Sequence, residues 1–265
     1  MLDLPAIVFS GALRQAIQNQ KMITIMLLKI PLIMTLLFTF NTLALDVDHT
    51  EKAIVIDGQI DPAWHSVAWQ PMPYLMAGSQ PKKQDFSGRY RLLWDKNYLY
   101  LQAEISDELL LDRNADPLTA YWDDDCLEIF IDSDASGGVH QYNHSAFAYH
   151  IGLDNQVADI GDDQKPHLYN EHLVSRWQRQ EEAPHTLIWE VAVKMYPNNF
   201  TDAQPLAPLM LNARDVIGFM LAYCDNDGSE HREHFMGSVD ISPVNGDKNR
   251  GWIDASVFAQ LTLLK

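Results

Sequence analysis

Asn97-Tyr98-Leu99-Tyr100-Leu101-Gln102-Ala103-Glu104-Ile105 alternates strictly between two sets of side chains. Leu99, Leu101, Ala103 and Ile105 share one face, and Tyr98, Tyr100, Gln102 and Glu104 share the other. That period of two marks a half-buried strand, because successive Cβ atoms point to opposite sides. Asp95-Lys96-Asn97 joins this stretch to the run at 89–94 as a short hairpin connection. Further strand patterns, bounded by Gly, Pro, Asp and Asn, recur at 53–56, 125–131, 145–151, 173–178, 186–193, 216–224, 234–239 and 258–264. No stretch holds an amphipathic helical period beyond two turns. About ten strands at this spacing predict an all-β fold, a single antiparallel β-sandwich. Its longer connections, at 71–86, 106–122 and 196–213, contain proline and read as surface loops.

The 265 residues carry 36 acidic against 19 basic side chains, a formal charge of −17. Gripping a phosphate backbone needs clustered Lys and Arg, so nucleic acid is excluded as a partner. Two cysteines, Cys126 and Cys224, exclude a disulfide scaffold and leave either one disulfide or two buried thiols. From Met22 the chain reads as a targeting segment: Lys29, an apolar run over 30–40, then small Thr42 and Ala44. This predicts a secretory signal cleaved after Ala44, with Met22 as an alternative start, and an exported domain over 45–265 in the periplasm or outside the cell. Residues 1–44 carry Arg14, Lys21 and Lys29 against Asp3, so the domain alone carries −19 of that total. The apolar run, broken by Lys29 and Pro31, is too short to span a bilayer, and the mature chain has no integral membrane span.

The densest acidic motif is Tyr121-Trp122-Asp123-Asp124-Asp125-Cys126-Leu127-Glu128-Ile129-Phe130-Ile131-Asp132. In a strand from Asp125, the all-aliphatic face of Leu127, Ile129 and Ile131 is core, so Glu128 looks out from the opposite face with Cys126 and Phe130. An aromatic ring beside an outward carboxylate suits a sugar: the ring covers the apolar C–H face and the carboxylate accepts hydroxyl protons.

Four segments in order then resemble family 9 carbohydrate-binding modules. They are Ile56-Asp57-Gly58-Gln59-Ile60-Asp61-Pro62-Ala63-Trp64, Leu92-Leu93-Trp94-Asp95 with Tyr98-Leu99-Tyr100, the motif from Trp122 to Asp132, and the closing Asn249-Arg250-Gly251-Trp252-Ile253-Asp254. The resemblance covers essentially the whole of 45–265. It implies a non-catalytic β-sandwich that holds the terminal sugar of a glycan between two tryptophans. Carried over by motif, the rings are Trp122 and Trp252, Glu128 is the acidic reader of hydroxyls, and Asn249 is a further hydrogen-bonding partner. Two positions depart from the family pattern. Ala148, with His150 beside it, stands where the family places a basic residue and an amide, and Ala222 stands where it places another amide. This predicts an altered set of polar readers, with His150 among them, and a different sugar or small ligand.

The resemblance also implies structural calcium, although Asp225-Asn226-Asp227-Gly228 lacks the spaced acids and distal Glu of an EF-hand loop and reads first as a hairpin turn. Related sandwiches bind haem through His and Met, so an electron-transfer role drawing on His234, Met236, Met220 and Met210 is the competing expectation. Catalysis has little in the sequence to carry it. There is no G-x-S-x-G, P-loop or G-x-G-x-x-G. Asp124 or Asp125 with Glu128 does not by spacing alone bracket a glycosidic bond, which leaves a carbohydrate-active hydrolase as the third reading.

Overall fold

The computed structural model describes residues 44–180, 182 and 185–265. The expected signal segment therefore lies outside the described residues, apart from Ala44. In chain order the strands are β1 (Leu45–His49), β2 (Gln70–Pro71), β3 (Tyr74–Gly78), β4 (Phe86–Trp94), β5 (Leu99–Asp107), β6 (Cys126–Asp132) and β7 (Phe147–Gly152). There follow β8 (Val157–Ile160), β9 (Pro166–Leu168), β10 (Leu173–Arg179), β11 (Thr186–Val193), β12 (Val216–Asp225), β13 (His234–Gly237) and β14 (Ala259–Leu263). Two short 3₁₀ turns, Pro62–Ser66 and Ala255–Val257, are the helical elements among the described residues. The fold is the expected sandwich, with fourteen strands in place of about ten.

One sheet runs β9-β8-β7-β6-β12-β14, with β13 and β3 continuing along the free half of β12. The other runs β10-β11-β5-β4, with β2 at its edge. β1 joins them, pairing in parallel with β14 through Leu45–Val47 and with β4 through Asp48 and His49. These two parallel pairings are the departure from an all-antiparallel sandwich.

The alternation of the sequence puts Leu127, Ile129 and Ile131 of β6 against Leu101, Ala103 and Ile105 of β5 in one core between the sheets. Tyr100 and Gln102 on the outer face of β5 are also buried, against the expectation of a half-exposed strand. The cause is the segment at 53–67, which contains the expected strand at 53–56 but forms none. Both edges of β4 are already paired, by β5 on one side and by β1 and β2 on the other. The segment lies across the sheet face instead, where Ile54 and Trp64 pack on Leu93, Tyr100 and Ala192. Its polar needs are met there too: Trp64 Nε1 and Gln102 Nε2 donate to Glu190 Oε1 at 3.2 and 3.1 Å, and the Gly58 amide donates to Glu190 Oε2 at 3.2 Å. The Ile56-to-Trp64 motif is therefore a cover for the second sheet.

β3 lies inside the connection expected to be a loop at 71–86. It pairs only with β13, so its alternation is short and carries little pattern.

Candidate functional site

The outer face of the first sheet carries a second apolar cluster that includes Cys126, Phe130, Ala148, Met220, Ala222, Cys224 and Phe258, with Trp252 packed against it. Above it lies a cavity of about 250 Å³. Trp122, Glu128, His150, Asn249 and Trp252 all line it. The five sequence candidates come together although they derive from three separate segments. Sequence reasoning missed Tyr121, His140, Gln141, Asp159 and Arg232, which line the same cavity.

Glu128 is 2% exposed and is held by three donors. His150 Nε2 at 2.8 Å, Arg232 Nη1 at 2.9 Å and the Cys224 thiol at 2.9 Å all reach the same oxygen, Oε1. None of these donors reaches Oε2, and among the described residues no hydrogen bond to it is made, in a side chain that lines the cavity. Burial works to raise the Glu128 carboxyl, but the His150 ring and the Arg232 guanidinium outweigh it and bring it down to about 2. Burial likewise works against the Arg232 charge, and Cys224 and Glu128 more than restore it. The guanidinium also lies 3.9 Å from the Phe235 ring centroid. Arg232→Met is expected to cost about 3 kcal/mol, because it leaves a buried carboxylate without its cation. Urea unfolding checks this, and an unchanged midpoint would show the pair to be energetically idle.

Asp123, Asp124 and Asp125 of the acidic motif are buried structural anchors. Asp123 Oδ1 accepts the Arg232 amide at 3.2 Å and Asp123 Oδ2 contacts His231 Nδ1 at 3.0 Å. Asp125 Oδ1 accepts the Asn226 amide at 2.8 Å, and the Asp123 carbonyl accepts Asn226 Nδ2 at 2.6 Å. The Trp122 loop and the β12–β13 turn that delivers Arg232 are thus tied together by hydrogen bonds. Trp122 itself is 42% exposed, edge-on to Tyr121, which in turn meets His150 edge-on.

Trp252 is held differently. The His140 amide donates to the Ile253 carbonyl at 3.0 Å and the His140 ring lies 2.8 Å from the Gly251 carbonyl through Nε2, so residue 140 grips the chain on both sides of Trp252. Gly251 is required by closeness: a Cβ there would meet Met220 Cε at 2.4 Å and Phe130 Cε1 at 2.8 Å. Gly251→Ala is expected to cost about 1–3 kcal/mol by overpacking and to displace Trp252. A crystal structure or tryptophan fluorescence of the variant reads that displacement.

Ala148 and Ala222 are buried beneath the site and supply no polar group, as their identities imply. Neighbouring segments bring polar groups instead. Asp159 of β8 accepts the Ala148 amide at 2.8 Å through Oδ2 and lines the cavity, and burial raises its carboxyl.

A second cluster stands at the base of the β12–β13 hairpin. Carboxylate oxygens of Asp107, Asp225 and Asp227 converge within 4.8 Å, as do those of Asp85, Glu108 and Asp227. Asp225 Oδ2 and Asp227 Oδ1 are buried with no hydrogen-bond partner among the described residues. Burial, followed by mutual repulsion, raises Asp225 to about 9 and Asp125 to about 8, and burial also raises Asp107 and Asp227 to about 6. In place of the expected tight hairpin turn, Asp225 ends β12 and Asn226-Asp227-Gly228 open the longer connection 226–233 to β13, with the Gly228 amide donating to Asn226 Oδ1 at 2.9 Å.

The His and Met residues of the haem expectation do not assemble. Met236 lies in the core between the sheets, Met220 in the outer cluster, and Met210 is exposed on a loop. His234 is engaged at both nitrogens, by the Ser79 carbonyl at 2.6 Å and Asp85 at 3.2 Å.

Over residues 56–265 the chain matches the family model described as carbohydrate family 9 binding domain-like. It is 27% identical over 212 residues to endo-1,4-beta-xylanase A of Thermotoga maritima, covering 80% of this chain and 17% of that enzyme. It is also 27% identical over 110 residues to endo-1,4-beta-xylanase C of Paenibacillus barcinonensis, covering 42% of this chain and 9% of that protein. The chain thus spans less than a fifth of these relatives. Among solved structures it resembles a family 9 carbohydrate-binding module from Caldicellulosiruptor kristjanssonii in complex with cellotriose, with a TM-score of 0.60 at 19% identity over 83% of this chain and 93% of that one. A putative carbohydrate-binding protein from Bacteroides uniformis aligns with a TM-score of 0.55 at 11% identity, over 83% and 98%.

Proposed function

The chain belongs to the carbohydrate family 9 binding domain-like family, a family of non-catalytic sugar-binding modules, and from that premise we propose that it binds the terminal sugar of a glycan, stacked between Trp122 and Trp252. The observation that carries this reading is the convergence of both tryptophans with Glu128, Asn249 and His150 on one cavity. Its volume of about 250 Å³ falls just below the ~300–1,000 Å³ of drug-sized ligand pockets, which suits one or two sugar rings. Stacking removes apolar C–H surface from water on each face of the ring. Glu128 Oε2 accepts hydroxyl protons, and Asn249 both donates and accepts. Arg232 and Asp159 take the reading roles that Ala148 and Ala222 vacate. Calorimetry of the full chain against glucose, cello-oligosaccharides and xylo-oligosaccharides, followed by a glycan array, tests the reading. Absence of binding to every neutral glycan would overturn it.

Structural calcium is the second part of the proposal. Asp107, Asp225 and Asp227 would hold it, and the orphaned buried oxygens of Asp225 and Asp227 support the fit. A divalent cation there neutralises buried carboxylates and fixes the hairpin that carries Arg232. The third part is export, directed by the segment at 22–44 and yielding a domain that begins at Leu45. N-terminal sequencing of the protein secreted by a producing cell tests this, and a retained residue 22–44 segment would refute cleavage.

A further inference from the structure

Beneath Glu128 two thiols face each other. Cys126 begins β6 and Cys224 lies one residue from the end of β12, and they are direct cross-strand partners. Both are free, and both are buried, at 1% and 0% exposure. Their sulfurs and a Glu128 oxygen all lie within 4.8 Å of one another.

Two chemistries suit such a set. Two thiolates and a carboxylate are donors for a soft or borderline cation. Here, however, Arg232 Nη1 lies 2.9 Å from both Cys224 Sγ and Glu128 Oε1. A permanent cation already stands among these donors, so a metal would have to expel a buried guanidinium. The alternative is a bond between the sulfurs. Opposed Cα atoms in an antiparallel pair are about 4.5–5.5 Å apart, inside the ~4.4–6.8 Å that a disulfide spans. The register therefore permits bridging without moving either strand.

We propose that Cys126 and Cys224 are a modification site, forming a reversible cross-strand disulfide that alters the hydrogen bonding of Glu128. The oxidant is a small-molecule disulfide such as oxidised glutathione. The Cys224 thiol yields its proton to water and its thiolate attacks one oxidant sulfur, giving a mixed disulfide and one small thiolate. Cys126, likewise deprotonated, attacks the Cys224 sulfur and displaces the second small thiolate. The two released thiolates take up the two protons, so two protein thiols are oxidised and one disulfide is reduced to two thiols. Burial raises both thiols and slows this exchange, while the Arg232 charge beside Cys224 favours its thiolate.

The consequence reaches the cavity through one atom. In the dithiol form the Cys224 S–H is one of three donors on Glu128 Oε1. In the disulfide form that donor is gone, so more of the carboxylate charge is left for a ligand hydroxyl at Oε2. Oxidised protein then binds sugar more tightly, by about threefold, as one weak hydrogen bond is worth. This last step rests on the sugar-binding reading above, whereas formation of the bond does not.

The test uses the full chain, refolded and held either in dithiothreitol or in oxidised glutathione. Expected in the oxidised sample are no titratable thiols after denaturation, an intact mass lower by two hydrogens, and a Tm higher by about 5 °C or more. The Cys126→Ala/Cys224→Ala variant shows none of these shifts. Two titratable thiols after refolding in oxidant would overturn the proposal, as would a stable glutathione adduct or stoichiometric zinc in the native mass spectrum. Calorimetry with cellotriose then reads the coupling. Equal affinity of the two forms would remove the link to Glu128, while failure of both forms to bind would fall on the sugar-binding reading and leave the thiol counts standing.

Discussion

Trp122→Ala/Trp252→Ala protein is expected to lose all detectable glycan binding in calorimetry while remaining folded. Each ring that buries one face of a sugar acts as an anchor of about 2 kcal/mol, close to a thirtyfold loss on truncation. Together the two losses approach a thousandfold. The single variants separate binding from stability. Trp122 is 42% exposed and rests edge-on against Tyr121, so its removal should leave Tm nearly unchanged. Trp252 packs on the outer apolar cluster, and its truncation should cost some stability as well as affinity. Undiminished binding by Trp122→Ala would place the ligand elsewhere.

The second large effect is on stability and concerns the acids clustered at the base of the β12–β13 hairpin. Their carboxyls are raised, Asp225 to about 9, Asp125 to about 8, and Asp107 and Asp227 to about 6. A group raised on folding contributes stability that is full below its unfolded value and is lost as pH rises through its folded value. Cation-free protein should therefore melt at progressively lower temperature from about pH 5 to pH 9. Calcium at a hundredfold excess over its Kd should reverse that loss, raising Tm at pH 8 by about 5–10 °C and far less at pH 5. Asp225→Asn should flatten the pH profile and abolish the calcium shift. Scanning calorimetry in chelator and in calcium decides it, and superimposable curves would sink the cation site.

The strands of the two main sheets were legible because their inner faces obey one rule. Leu99 to Ile105 and Leu127 to Ile131 alternate along strands long enough for the pattern to stand out. What escaped notice was short. β1, β2, β3, β8 and β9 run two to five residues, too few for a period of two to be distinguished from chance. The stretch at 53–56 misled in the opposite sense, since its apolar residues serve a covering segment and its backbone pairs with no strand.

The site divides along similar lines. Trp122, Glu128, Asn249 and Trp252 could be placed on the candidate site because each sits in a motif, the acid-rich strand entrance or the Gly-containing closing segment, that resembles a family signature. Arg232 was not, because what places it at the cavity is contact with Glu128, 104 residues away. A signal did exist. In a chain with 36 acids and 19 bases, a basic residue eight positions after Cys224 and beyond an Asp-Gly turn returns alongside the strand it left. Folding that hairpin on paper would have brought Arg232 near Glu128. Asp159 offered no comparable cue, standing on a four-residue strand with ordinary neighbours.

The parallel strand β1 has a further consequence for the order of events during synthesis. Leu45 pairs with Leu261, and three residues later the same strand pairs with β4. The seam between the two sheets therefore joins segments more than two hundred positions apart, and it closes only after the last strand has been made. Until then the nascent chain has an open flank, with a long-range contact still to be found and folding slowed accordingly. Under the export proposed above, such a delay would serve a passenger that must stay unstructured while it is threaded through a translocation pore, because its architecture postpones its own completion.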